Sequence, residues 1–345
     1  MVLWSLIPAP SAQILNVSIA SYTGTSTEAN FRSPGLWANL RQGDIQTMTQ
    51  DLPEVGPWAR EKLDGLRAYL SAYMKILSKR ASLRTVYVDA FAAAGRAVLR
   101  KRDHDDPTIH LDLGDAARDE DSREVIDGSP RIALEIEPPF EQYVFIEADE
   151  RRLAELKELE AQYGERRKIA VRSGDCNAYL TTNLLRALAS DPRWRGVVFL
   201  DPFGMQVPWS TIKRLADTKQ VEVFINFPVG MAIQRLLPRS AHFTPKQRAK
   251  LDDYFSDPAW YDEVYVSEAG LFESGVRKRS DAGERLLNWY RGRLKSAFGH
   301  VSVARLVTNS KGGHLYYLVF AGPNPTGAKI ASHVLGPARP KRGST

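Results

Sequence analysis

Five short apolar runs, each closing on an acid or an amide, alternate with helical stretches between Thr85 and Pro228. They are TVYVDAF (Thr85–Phe91), QYVFIEAD (Gln142–Asp149), Ile169–Val171 leading into Ser173-Gly174-Asp175, GVVFLDPFG (Gly196–Gly204) and VEVFINFP (Val221–Pro228). The runs are β-branched and aromatic, and they are apolar on both faces. Between them, Glu150–Tyr163 and Tyr179–Ala189 are rich in helix formers. Ser129 is placed to cap a helix, with Pro130 at its first position. Upstream, Leu63, Leu66, Leu70, Tyr73 and Leu77 recur at three- and four-residue spacing and predict a helix from Trp58 to Arg80, just after Pro57. Strands alternating with helices build βαβ units, hence a parallel sheet between helix layers. Near the end, Val301–Asn309 and His314–Gly322 flank Ser-Lys-Gly-Gly, the pattern of an antiparallel hairpin.

Composition narrows the function classes. Of 345 residues, 43% are hydrophobic and 26% charged, enough to bury a core and too apolar for a disordered chain. The single cysteine, Cys176, excludes a disulfide scaffold and a cysteine-based zinc site, and reads as a buried small hydrophobe. No apolar run approaches the ~18 residues of a membrane span, so no membrane role is expected. The start, MVLWSLIPAPSA, lacks the positive segment of a signal peptide. The net charge of +6 is uneven: from Gly204 onward, 21 Lys and Arg face 11 Asp and Glu. The expected organisation is a poorly ordered extension over 1–50, a cofactor-binding core over 51–237, a basic and aromatic, mainly helical insertion over 238–300, the hairpin over 301–322 and a flexible tail over 323–345. An acidic surface loop over 102–127 interrupts the core. Its Asp residues, with His104 and His110, show no metal-ligand spacing.

Ligands of open parallel sheets sit beyond the carboxyl ends of the strands. Those ends offer Asp89 with the small-residue turn to Gly95, then Glu147 and Asp149, Asp175, Asp201-Pro202-Phe203-Gly204 and Asn226. Acids gathered at one edge repel each other. A ligand with a positive centre, amines and hydroxyls makes use of them, and S-adenosyl-L-methionine is such a ligand. The turn Asp89–Gly95, with Phe91, would admit it. Glu147 would accept ribose hydroxyls, as acids do in dinucleotide sites, and Asp175 the adenine amine. Each also has a plainer reading. Asp89 and Asp175 shape turns, and Glu147 caps the next helix. Asp201, Pro202 and Phe203 carry the strongest local signal. An acid and a backbone carbonyl there would accept a target amine while Phe203 stacks on an extruded or single-stranded base; the plainer reading packs Phe203 inward. The fold class that combines these features is α/β, a Rossmann-like S-adenosylmethionine-dependent methyltransferase sheet completed by the C-terminal hairpin. The missing G-x-G-x-x-G and the hairpin argue against a nicotinamide enzyme.

The run YVDAFAAAGR, GSPRIAL, FIEAD, SGD, FLDPFG and FINFP resembles the three-Cys-motif partner proteins (TcmP) over roughly Trp58 to Phe320. The resemblance implies a Rossmann-like methyltransferase fold and a bacterial cytoplasmic protein often tied to mobile elements. It also implies a partner, encoded nearby, that carries a three-cysteine motif of iron–sulfur or radical type. One departure stands out: the family usually reads Asp-Gly-Phe-Ala-Gly-Pro-Gly in the first turn, where this chain has Ala90 and Ala93 in place of two glycines. If either backbone requires a positive φ, alanine strains it.

In the insertion, Arg277, Lys278, Arg279, Arg291 and Arg293 lie among Trp260, Tyr261, Trp289 and Tyr290. Basic residues interleaved with aromatics suit nucleic-acid contact; the alternative is a solvated helix face over an aromatic core. The expected function is methyl transfer to a nucleobase amine or a similar polyanionic substrate. The alternative is a non-catalytic nucleic-acid or protein adaptor for the three-cysteine protein.

Overall fold

Apolar side chains at successive strand positions demand cover on both faces of a sheet, and the protein supplies it. The computed structural model describes residues 54–56, 58–99, 124–269, 274–309 and 312–336. The expected extension 1–50, the acidic segment 102–123 and residues 337–345 lie outside them. The central sheet contains β1 (Arg84–Asp89), β2 (Gln142–Glu147), β3 (Ile169–Ser173), β4 (Trp194–Leu200), β5 (Val221–Phe227), β6 (Arg305–Thr308) and β7 (His314–Gly322). Their spatial order is β3-β2-β1-β4-β5-β7-β6. The first five run parallel. β7 is antiparallel to β5 and to β6. This is the Rossmann-like methyltransferase sheet, completed by the antiparallel C-terminal hairpin.

The main helices are α1 (Trp58–Leu77), α2 (Ser129–Leu134), α3 (Glu150–Tyr163), α4 (Cys176–Tyr179, running through a π turn at Leu180–Leu184 into Leu185–Ser190), α5 (Trp209–Asp217), α6 (Pro245–Phe255), α7 (Trp260–Val264), α8 (Ala282–Phe298) and α9 (Pro325–Leu335). Leu66, Tyr69, Leu70 and Tyr73 of α1 pack with Leu156 and Leu159 of α3 and Ala331 of α9. Their partners are Tyr87, Tyr143, Phe145, Phe199, Phe224 and Phe320 of the sheet. Each such side chain, fully buried, contributes roughly 1.5–3 kcal/mol.

Four expectations need correction. Residues 325–335 are not a flexible tail: Asn324 caps α9 by accepting from the Thr326 amide, and Ala331 and Leu335 give the helix an apolar side that joins the core. The acidic loop is shorter than 102–127, because Glu124–Asp127 forms a strand antiparallel to Arg96–Leu99. Gly128, not Ser129, is the cap of α2, which frees the Ser129 hydroxyl to reach Asp89. The hairpin's first run is broken: His300–Val301 and β6 pair separately with β7, and the Ser302 hydroxyl accepts from the Phe320 amide between them.

The insertion contains α6, α7 and α8 with an antiparallel pair, Tyr265–Ala269 and Ser274–Lys278. It docks on the end of β5, where Tyr290 stacks on Phe227 with ring centroids 4.6 Å apart.

Candidate functional site

The turn after β1 is built from backbone groups tied to both neighbouring strands. The Ala90 amide donates to the Phe199 carbonyl of β4, and the Ala92 amide to the Ile146 carbonyl of β2, each at 3.0 Å. The chain then reverses through Ala93 (φ 51°) and Gly95 (φ 71°). Gly95 tolerates that conformation; Ala93 does so at a cost of roughly 1–2 kcal/mol. Gly128 donates to the Gly95 carbonyl at 2.8 Å. A side chain at Gly128 would meet the Gly95 backbone at 2.9 Å, so a glycine there permits the contact.

Asp89 is fully buried. It accepts from the Tyr87 hydroxyl at 3.2 Å and the Phe91 amide at 3.3 Å. Burial pushes its carboxyl up to about 7, against the Ser129 hydroxyl that stabilises the charge and with the nearby Asp201 adding to the rise. Phe91 is half-buried within the turn.

Glu147, at the end of β2, accepts three backbone amides: Ala93 at 2.9 Å on Oε2, and Ala148 and Asp149, each at 2.9 Å, on Oε1. It therefore pins the first turn to the second strand. One lone pair on Oε2 remains, enough to accept one hydroxyl. Asp149 carries the capping role of the next helix, accepting from the Arg151 and Arg152 amides. Asp175 is exposed and caps α4 through the Asn177 and Ala178 amides. Cys176 is buried, and burial pushes its thiol up to about 12. That suits a packing role.

The turn after β4 is different. Phe203 does not pack inward: it is 67% exposed, the most exposed large apolar side chain among the described residues. The Arg152 guanidinium stands 5.4 Å from its ring centre, and the Gln206 side chain accepts from its amide at 2.9 Å. Asp201 is held from two sides, by an ion pair with Lys62 of α1 and by the Asn226 side-chain amide at 2.8 Å. Pro202 is buried between them in sequence. Two polar atoms here are buried with no partner among the described residues: Asn226 Oδ1 and Tyr316 Oη. Tyr316 lies on the same face of the sheet as Asn226, since Leu318 pairs with Asn226 across β7 and β5. Lys62 stands 5.8 Å from the Tyr316 ring centre.

Lys62, Asn226 and Tyr316 thus join the set around Asp201. The strand-end rule pointed to Asn226. Nothing in the local sequence marked Lys62 or Tyr316, which reach the site from a distant helix and the last strand.

The five basic residues of the insertion do not form one surface. Arg293 is wedged against Trp209 (4.1 Å) and Trp289 (4.8 Å) and donates to the Phe255 carbonyl. Arg291 donates to the Ser302 carbonyl at 2.8 Å, and Lys278 to the Leu237 carbonyl at 3.3 Å. Arg279 is half-buried, with a buried Nε. Arg277 alone of the five is exposed. Trp260 and Tyr290 are core residues. An aromatic cluster this large recruits nearby guanidinium groups as packing partners.

Among the described residues, no cluster of His, Cys, Asp or Glu could hold a metal, and no helix is long and apolar enough to cross a membrane.

No protein-family model matches the chain, and no curated protein matches it. Solved structures do. A Legionella pneumophila protein of the DUF519 family is 13% identical, with 79% of this chain and 91% of that one covered and a TM-score of 0.44. An O-methyltransferase from Bacillus cereus, solved with SAH, is 12% identical over 81% of this chain and 86% of its own, with a TM-score of 0.35. An S-adenosylmethionine-dependent methyltransferase from Clostridium acetobutylicum is 11% identical over 74% and 91%, with a TM-score of 0.29. At these values the fold assignment rests on the strand order and directions of the chain itself.

Proposed function

We propose that the protein is an S-adenosylmethionine-dependent methyltransferase acting on a nucleobase amine. The observation that carries this is the turn after β4, where a held carboxylate stands beside an exposed aromatic ring at the carboxyl edge of the sheet. The residues present fit the cofactor. The first turn presents only small side chains between Ala92 and Gly95, Glu147 keeps one lone pair for a ribose hydroxyl, and Asp175 stands exposed for an amine. A two-oxygen grip on the ribose by Glu147 would require release of the Ala148 or Asp149 amide from Oε1. When bound, S-adenosylmethionine supplies an electrophilic methyl group. Asp201, oriented by Lys62 and Asn226, accepts a hydrogen bond from the target amine together with the Pro202 carbonyl, which aims the nitrogen lone pair. Phe203 stacks on the base. Rate then comes mainly from positioning.

The purified protein is expected to bind radiolabelled S-adenosylmethionine and to transfer label to single-stranded nucleic acid, with transfer lost in Asp201→Ala. Absence of binding at roughly millimolar ligand, a strength of only about −4 kcal/mol, overturns the enzyme reading.

A second reading has its own support in Ala93 at φ 51° and in the three amides that occupy Glu147. In it, the same fold is a non-catalytic adaptor for a three-cysteine-motif protein or for nucleic acid. Co-purification with the neighbouring three-cysteine protein, unchanged by S-adenosylmethionine and accompanied by no cofactor binding, selects this reading.

A further inference from the structure

The opposite end of the sheet holds a cavity of about 380 Å³ that the strand-end chemistry does not use. Its walls come from the last turns of α1 (Tyr73, Ile76, Leu77), from the start of β4 and β5, and from the first turn of α9. Its floor carries Glu222, 7% exposed. Oε2 of Glu222 accepts the Tyr69 hydroxyl, and Oε1 has no hydrogen-bond partner among the described residues. Two glycines make room for this carboxyl group. A Cβ at Gly327 would stand 2.5 Å from Glu222 Oε1, and one at Gly322 would stand 2.8 Å from its Cγ. Burial pushes the Glu222 carboxyl up to about 7, against the Tyr69 hydrogen bond.

The mouth has the opposite character. Arg80, Arg195 and Lys219 line it, and none of them forms an ion pair with a carboxylate of the described residues. Arg195 spends one nitrogen on the Pro192 and Trp194 carbonyls; Arg80 and Lys219 are exposed. Three cations at a mouth with no counter-charge make a place for an anion. The space between mouth and floor is walled by Ile76, Leu77, Leu83 and Ile330. A ligand that satisfies all three layers has an anionic end, a flat or apolar middle and an N–H donor at the far end. The volume lies in the range of small-ligand sites and exceeds what a lone phosphate or amine would fill.

We propose that this cavity binds a nucleoside monophosphate, with the phosphate at Arg80, Arg195 and Lys219 and an amino edge of the base donating to Glu222. The site is separate from the carboxyl-end site and does not depend on the methyl-transfer reading. Helix α1 connects the two, because Lys62 near its start holds Asp201 while Tyr69 and Tyr73 near its end face Glu222.

Calorimetric titration of the full-length protein with adenosine 5′-monophosphate tests this. Binding is expected, weakened at least about tenfold in Arg80→Ala/Lys219→Ala and in Glu222→Gln, and unchanged in Asp175→Ala. Adenosine alone and inorganic phosphate alone are each expected to bind at least about tenfold more weakly. The rim pair is exposed, so that variant reports even where Glu222→Gln does not fold. The proposal is overturned by no binding up to roughly 10 mM, by full binding in the rim variant, or by phosphate binding as tightly as the nucleotide. Loss in Asp175→Ala overturns it too, by placing the nucleotide at the carboxyl end. Failure of S-adenosylmethionine to bind would leave all of these outcomes readable.

Discussion

The turns after β1 and β4 stand side by side at the carboxyl edge, and they use their polar groups in opposite ways. The first consumes its own. Asp89 accepts from Tyr87, Phe91 and Ser129, and Glu147 accepts three amides. The second gives up a ring to solvent, since Phe203 is 67% exposed, and keeps its acid poised by Lys62 and Asn226. An acid at a strand end is therefore not one kind of residue. Where several backbone donors converge on it, it holds the chain in place; where side chains from distant elements hold it, as at Asp201, each oxygen takes one side-chain donor. The sharpest way to break this contrast is Glu147→Ala. That change leaves three part-buried amides without their charged acceptor and is expected to cost about 3–5 kcal/mol in denaturant unfolding. A loss below about 1 kcal/mol would show that Glu147 does not hold the turn.

Asp89 provides the next largest effect, through pH. Its folded carboxyl titrates near 7 while an unfolded one titrates near 3.8. Between those values the folded chain binds more protons than the unfolded chain. The stability from protonated Asp89 is present at the acid end of that window and is lost as pH rises through it. The loss amounts to up to about 4 kcal/mol. Glu222, moved from 4.5 to about 7, acts in the same sense. Wild-type stability followed by thermal melting is expected to fall from acid toward neutral pH more steeply than that of Asp89→Asn. Equal slopes would show that the Asp89 carboxyl is not raised.

These contrasts also explain what the sequence revealed and what it concealed. The sheet was legible because its strands are apolar on both faces and end in acids, and α3 falls over Glu150–Tyr163 as expected. The C-terminal helix was not, since its Gly- and Pro-containing start reads as loop. Its burial comes from Ala328, Ala331 and Leu335 meeting α1 across a distance of more than two hundred residues. Asp201 and Phe203 were legible as a local motif. Lys62 and Tyr316 were not, because only the folded sheet brings α1 and β7 to Asp201. The packing of Arg293 on Trp209 and Trp289 was hidden for the same reason: a charge pattern along the chain does not say which guanidinium an aromatic core will take in.

Phe203→Ala tests the open side of the comparison. An exposed ring contributes little to folding, so stability is expected to stay within about 0.5 kcal/mol of wild type. Affinity for single-stranded oligonucleotides, followed by fluorescence anisotropy, is expected to fall by about 1–3 kcal/mol, the worth of one stacked base. A stability loss with unchanged affinity would return Phe203 to a packing role.

Ala93→Gly tests the closed side and carries the smallest effect. Ala93 holds φ 51°, a conformation that costs a residue with a Cβ roughly 1–2 kcal/mol. Glycine removes that strain but adds freedom to the unfolded chain worth about 0.5–1 kcal/mol. The net expectation is a gain of up to about 1 kcal/mol in unfolding free energy. The methyl group also leaves the turn where the cofactor backbone contact is proposed, so S-adenosylmethionine affinity is expected to rise with stability. Higher stability with no change in affinity would mean that the turn limits only folding. A loss of stability would mean that the freedom glycine adds to the unfolded chain outweighs relief of the alanine's strain, since the amide donated to Glu147 is kept.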